Sequence, residues 1–142
     1  MRRYLVVAHR TLGGEHLMEH LRQLRAEHGD CQFHLVVPVF HPTDRQWTEG
    51  QVEAAARDRL DGILEIVAEM GIGADGEIGD ASPVYAVDTV LRREGHDAFA
   101  GIILSTLPQG VSRWWNMDVP GRLNRAHPEI PITHIVAESA TV

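Results

Sequence analysis

The sequence predicts an α/β domain built on one parallel sheet of five strands. Short apolar runs at residues 4–8 and 98–104 read as strands buried on both faces, the pattern of a parallel sheet covered by helices. Between such runs, apolar residues recur at helical spacing, so strand and helix alternate from one end to the other. Gly29, Gly71 and Gly95 stand where the first three helices should stop.

Each element has its own justification. Tyr4 to Ala8 is rich in β-branched residues and forms the first strand. From Glu15, residues Leu17, Met18, Leu21 and Leu24 line one face of helix one. Gln32 to Phe40 is strand two, and Pro38 within it predicts a bulge or an early end, because proline has no N–H to donate. Thr48 followed three residues later by Gln51 has capping-box spacing. Helix two then carries Val52, Ala56, Leu60, Ile63 and Val67 inward. Asp75 to Ile78 is a short third strand, followed by a turn at Gly79-Asp80-Ala81. Ser82 and Pro83 read as the N-cap and first residue of helix three. Ala98 to Leu104 is strand four. Asp118 is the expected N-cap of helix four, with Pro120 in its first turn and an end near His127-Pro128. Ile130 to Ala137 is strand five, less uniformly apolar than strands one and four, which suits a sheet edge.

With 142 residues there is enough chain for one domain and one sizeable core. No apolar run is long enough to cross a bilayer, and the basic-then-apolar start is broken by His9 and Arg10, so it reads as a strand and not a signal peptide. Cys31 is the only cysteine, which rules out an intrachain disulfide and suits a cytoplasmic location. The net charge of −7 repels a phosphate backbone and argues against nucleic-acid binding.

A site for a small molecule is expected where strand four empties into the loop before helix four. Ser105 and Thr106 end the apolar run there, and Gln109-Gly110-Val111-Ser112-Arg113-Trp114-Trp115 follow. His9 and Arg10 end strand one, and Asp80 follows strand three.

The order of elements, with Gly79-Asp80 and Pro83 before helix three, Gly110-Val111-Ser112-Arg113 after strand four and Pro131 to Val136 at the close, resembles the universal stress protein family over nearly the whole chain. The resemblance implies a Rossmann-like sheet in the order 3-2-1-4-5 with two helices on each face. It also implies a homodimer paired through the last strand, and a candidate ligand site at His9, Arg10, Asp80, Ser105, Thr106, Gly110, Ser112 and Arg113.

One departure bears on the ligand. The nucleotide-binding branch of that family carries Gly-x-x-Gly and, nine residues on, Gly-Ser or Gly-Thr. Registered on Val111-Ser112-Arg113, its three glycines fall on Leu104, Leu107 and Met117, and its hydroxyl falls on Asp118. The aspartate that the branch keeps at the end of strand one falls on His9. Glycines let backbone N–H groups approach a phosphate without a Cβ in the way, and these side chains do not. Asp118 should also occupy the free N–H groups of helix four and repel a phosphate. A non-enzymatic domain that needs no cofactor is therefore expected, binding a small ligand or a protein partner in a stress-related role. ATP or AMP at a site rebuilt around Ser105, Thr106, Arg113 and the Asp80 turn, with Arg10 and Arg113 as anion contacts, is the alternative.

Sharper chemistry can be weighed against plainer readings. His9 on strand one would face Ser105 across about 4.8 Å of strand spacing, while Asp80 begins roughly 10 Å away. No Gly-x-Ser-x-Gly elbow is present, so a Ser-His-Asp hydrolase is disfavoured. His16 and His20 share a helix face but lack a third ligand, so no metal is expected there. His34 and His41 flank strand two, and one of them fits a satisfied core histidine. Cys31 reads as a structural thiol. Arg122, Arg125 and His127 complement the dipole at the end of helix four. Trp114 and Trp115 are read either as a lid on the sheet end or as a surface for a protein partner.

Overall fold

A computed structural model describes residues 2–8, 14–106 and 117–136. Five strands, β1 (Arg2–Ala8), β2 (Cys31–Pro38), β3 (Gly73–Gly79), β4 (Gly101–Thr106) and β5 (Ile132–Val136), form one parallel sheet in the order β3-β2-β1-β4-β5. Among the described residues, four helices connect them: α1 (Glu15–His28), α2 (Glu49–Glu69), α3 (Pro83–Glu94) and α4 (Val119–Ala126).

Alternation along the strands divides the core in two. Tyr4, Val6 and Ala8 of β1 and Phe33, Leu35 and Val37 of β2 meet Leu17 and Leu21 of α1 and Leu60 and Ile63 of α2. On the other face, Leu5, Val7 and Val36 meet Val87 and Leu91 of α3 and Val119 and Leu123 of α4. Two helices thus cover each face. The order 3-2-1-4-5 puts β1 at the centre and leaves β3 and β5 as edges.

Local signals act as read. The Gln51 N–H donates to the Thr48 hydroxyl (3.1 Å), and the Thr48 N–H donates to the Gln51 side chain (2.9 Å), closing the capping box of α2. The Ser82 hydroxyl accepts from the Tyr85 N–H, with Pro83 in the first turn of α3. Gly29, Gly71 and Gly95 all have positive φ at helix ends. Strand β2 ends at Pro38, which still pairs with Gly79, and the Val39 N–H donates to the Gly79 carbonyl (3.0 Å) just beyond it. The Cys31 thiol is buried against the Leu24 carbonyl, and burial pushes its pKa up.

Strand boundaries move, most on β3, β4 and β5. β3 runs from Gly73 to Gly79, longer than the apolar signal, because pairing with β2 from Gln32↔Gly73 to Pro38↔Gly79 does not depend on side chains. β4 starts later, since residues 98–100 turn first: the Ala98 N–H bonds the Gly95 carbonyl and the Ala100 N–H bonds Arg3. It also ends later, taking Ser105 and Thr106 into the sheet beside Ala8 and Val136. Strand β5 is shorter, Ile132–Val136, and Ala137 lies outside the described residues.

Asp118 corrects the capping expectation. It precedes α4, but its φ of 53° and ψ of 43° are left-handed, and its side chain makes no capping hydrogen bond. A side-chain cap needs an extended N-cap residue, and aspartate is one of the few residues that tolerate the left-handed region. The carboxylate lies instead over Gly121, 2.6 Å from where a Cβ would stand, and 3.3 Å from the Arg125 guanidinium.

Packing on β3 gives a direct test. A Cβ on Gly76 would come within 2.6 Å of Leu60 Cδ1 and 2.9 Å of the Leu35 carbonyl, whereas Gly62, inside α2, has nothing within 4 Å. Gly76→Ala should cost about 1–3 kcal/mol from overpacking. Gly62→Ala should stabilise by about 0.5–1 kcal/mol through helix propensity. Urea unfolding of the two variants should move the midpoint in opposite directions.

Candidate functional site

In an open parallel sheet the ligand crevice lies beyond the carboxyl ends of the strands, where the order reverses. Here that point lies between β1 and β4, at Ala8 and Ser105, paired in register. Of the residues expected to build the site, Asp80, Ser105 and Thr106 lie within the described residues. His9, Arg10, Gly110, Ser112, Arg113, Leu107 and the Trp114-Trp115 pair lie outside them.

Ser105 and Thr106 are almost fully buried, at 1% and 2% exposure. As consecutive strand residues they point to opposite faces of the sheet. Ser105 turns to the face covered by α1 and α2. Thr106 turns to the face covered by α3 and α4, where its Oγ1 lies 2.7 Å from Nε2 of His134 on β5. Their side chains therefore do not share one ligand-facing surface. Burial holds the His134 pKa below its ordinary value, which favours a neutral imidazole beside the hydroxyl.

Asp80 serves the turn into α3: its Oδ1 accepts from the Ser82 N–H at 2.9 Å. It also lines a groove of about 580 Å³ between α3 and α4, with Tyr85, Asp88, Arg122 and His127. This groove runs along a helix pair, and Ser105 and Thr106 are not among its lining residues. Of the positions matched to the phosphate-binding glycines, Leu104 is fully buried in the core and Met117 is exposed. The Asp118 carboxylate adds negative charge over the first turn of α4, where the free N–H groups of a helix would otherwise attract an anion.

A second polar cluster lies on β2 and β3. His34 Nδ1 is 2.8 Å from Asp75, and Nε2 is 2.6 Å from Glu77. Arg93 of α3 binds Glu77 with two nitrogens and also meets Glu94, which reaches Arg3. The Arg93 guanidinium is the main cause holding the Glu77 carboxyl below the usual range. His34 is thus a satisfied core histidine, and its role is to fasten β3 and α3 to the sheet. The spacing Asp75-x-Glu77 signals two carboxylates on one strand face, but only strand pairing brings them to His34.

No family model matches the sequence, and no curated protein matches it. Solved structures do. A universal stress protein family member from Burkholderia pseudomallei superposes with a TM-score of 0.56 at 17% identity over 94% of each chain. A universal stress protein family protein from Arabidopsis thaliana, solved with AMP bound, superposes with a TM-score of 0.59 at 12% identity, over 99% of this chain and 95% of that one. The chain has a universal stress protein-like fold. In this fold the present chain keeps the sheet order and helix layers, while leucine, methionine and aspartate stand at the described positions matched to the phosphate loop.

His134 generates a pH test. A histidine whose folded pKa is depressed adds stability that is present above its unfolded pKa and is lost as pH falls through the folded value. Stability should therefore decline as pH drops below about 6.5. His20, lowered mainly by burial against an opposing effect of Glu27, adds to the same decline. Glu77 adds a second loss below about 4.5, as its depressed carboxyl protonates. His134→Gln should flatten the first decline and leave the second, read from urea midpoints across pH. An unchanged first decline in His134→Gln would show that the burial of His134 does not set it.

Proposed function

We propose that this chain is a non-enzymatic universal stress protein-like domain that works as a homodimer joined along β5. It binds a small ligand or a protein partner at the carboxyl ends of its strands in a stress-related role. The observation that carries this reading is the Asp118 carboxylate, left-handed and uncapped, lying over the first turn of α4. A phosphate seated there would meet a like charge and no cradle of glycines. The buried Leu104 supports the same reading, because its side chain already fills core space on that strand.

Dimer formation is supported by the place of β5 at the edge of the described sheet, with Val136 39% exposed on a short, half-buried strand. Trp114 and Trp115 are the proposed contact for a protein partner. A cytoplasmic location is supported by the lone, buried cysteine. Among the described residues no helix is long and apolar enough to cross a membrane.

A second reading, binding of an adenine nucleotide at a site rebuilt around Ser105, Thr106, Arg113 and the Asp80 turn, with Arg10 and Arg113 as anion contacts, is favoured by one observation. The Arabidopsis structure with the same fold holds AMP. Native mass spectrometry of the chain incubated with Mg-ATP or AMP separates the two. The first reading expects the mass of two chains without an adduct. A stoichiometric nucleotide adduct would favour the second, and a chain that stays monomeric would remove the β5 pairing.

A further inference from the structure

The geometry points to a divalent transition-metal site formed by His96, His127 and Glu129, at the amino-terminal edge of the sheet. These residues come from the connection between α3 and β4 and the connection between α4 and β5, which a parallel sheet places opposite the ligand crevice. One ligand atom from each of the three lies within 4.8 Å of the others. His96 Nδ1 is 3.7 Å from a Glu129 oxygen, and the two imidazole rings have centroids 5.6 Å apart.

The burial of His127 distinguishes this cluster from a chance surface grouping. His127 is 3% exposed, and neither of its ring nitrogens has a hydrogen-bond partner among the described residues. Buried polar atoms in folded proteins are nearly always satisfied, so such a ring calls for a partner that the described residues do not supply. A metal ion is the partner for which the neighbours are suited. His96 and Glu129 offer a second imidazole and a carboxylate, and both side chains are more than half exposed, so an ion can reach them from solvent.

Distance and chemistry select the ion. Ligand atoms around a tetrahedral zinc lie about 3.4 Å apart, given bonds near 2.1 Å. The widest pair, within 4.8 Å, must therefore close by up to about 1.4 Å. The movement falls on His96, next to Gly95 with its φ of 106°, and on Glu129 in the turn before β5, while the buried His127 stays fixed. Two imidazoles and one carboxylate suit Zn²⁺ or Co²⁺, whereas Ca²⁺ and Mg²⁺ prefer all-oxygen sets. A water completes the fourth position. Bound metal would tie the ends of α3 and α4 to the entry of the edge strand β5, and so stabilise that edge.

Zinc titration of the full chain, by calorimetry and thermal unfolding, tests this. The unaltered chain should bind one tight equivalent and unfold several degrees higher with zinc. Cobalt in its place should give the visible absorption of a tetrahedral site. Because His127 is in the core, the exposed ligands carry the mutational test: His96→Gln and Glu129→Gln should each weaken zinc by about tenfold or more and lose the cobalt band. His16→Gln, on α1, should bind as the unaltered chain does. Absence of saturable zinc binding, or a tight equivalent that survives both His96→Gln and Glu129→Gln, would overturn the assignment.

Discussion

The central strand imposes the main constraint. Leu5, Val6, Val7 and Ala8 of β1 are fully buried, with side chains directed alternately to both faces. Such a strand needs a neighbour on either side and a layer of helix above and below. β2 and β4 supply the neighbours, α1 and α2 one layer, and α3 and α4 the other. Parallel strands can be joined only by crossovers, so the loops gather at two opposite edges of the sheet. One edge holds Ser105, Thr106 and the turn at Asp80; the other holds His96, His127 and Glu129.

The two outer strands lack this apolar advantage and are held by other means. β3, with the sequence Gly-Ala-Asp-Gly-Glu-Ile-Gly, has little to bury. It is secured by backbone pairing to β2, by the fit of Gly76 against Leu60 and Leu35, and by the His34 clasp. Arg93 extends that clasp to α3, Glu94 extends it to Arg3, and Arg3 stacks over Phe99. The exposed members of this chain contribute little each, since water screens them, and the half-buried Glu77 between His34 and Arg93 matters most. β5 is fixed by its pairing to β4 and by the Thr106–His134 contact in the cover of α3 and α4.

Features encoded by local spacing were legible in the sequence. The apolar runs of β1 and β4, the Thr48–Gln51 box, the Ser82-Pro83 entry and the three glycine stops depend on residues within a few positions of one another. Features that need distant segments were not. Nothing near Ser105 and Thr106 shows that β4 continues through them, because the reason lies in Ala8 and Val136 on other strands. Asp118 has the residue type of an N-cap but not its backbone, which follows from how the chain enters α4. His127 reads locally as a dipole partner, and only the packing of the turn before β5 buries its ring beside His96 and Glu129.

We propose, on electrostatic and steric grounds, that with Leu104 in the core and Asp118 over the start of α4 this version of the fold does not cradle phosphates. Thermal unfolding of the purified chain across a concentration series of Mg-ATP, ADP and AMP tests it most directly, because any ligand bound by the folded state alone raises the melting temperature. The account predicts no rise at millimolar nucleotide. A melting temperature that climbs with nucleotide concentration would contradict it and place a rebuilt phosphate site in this chain.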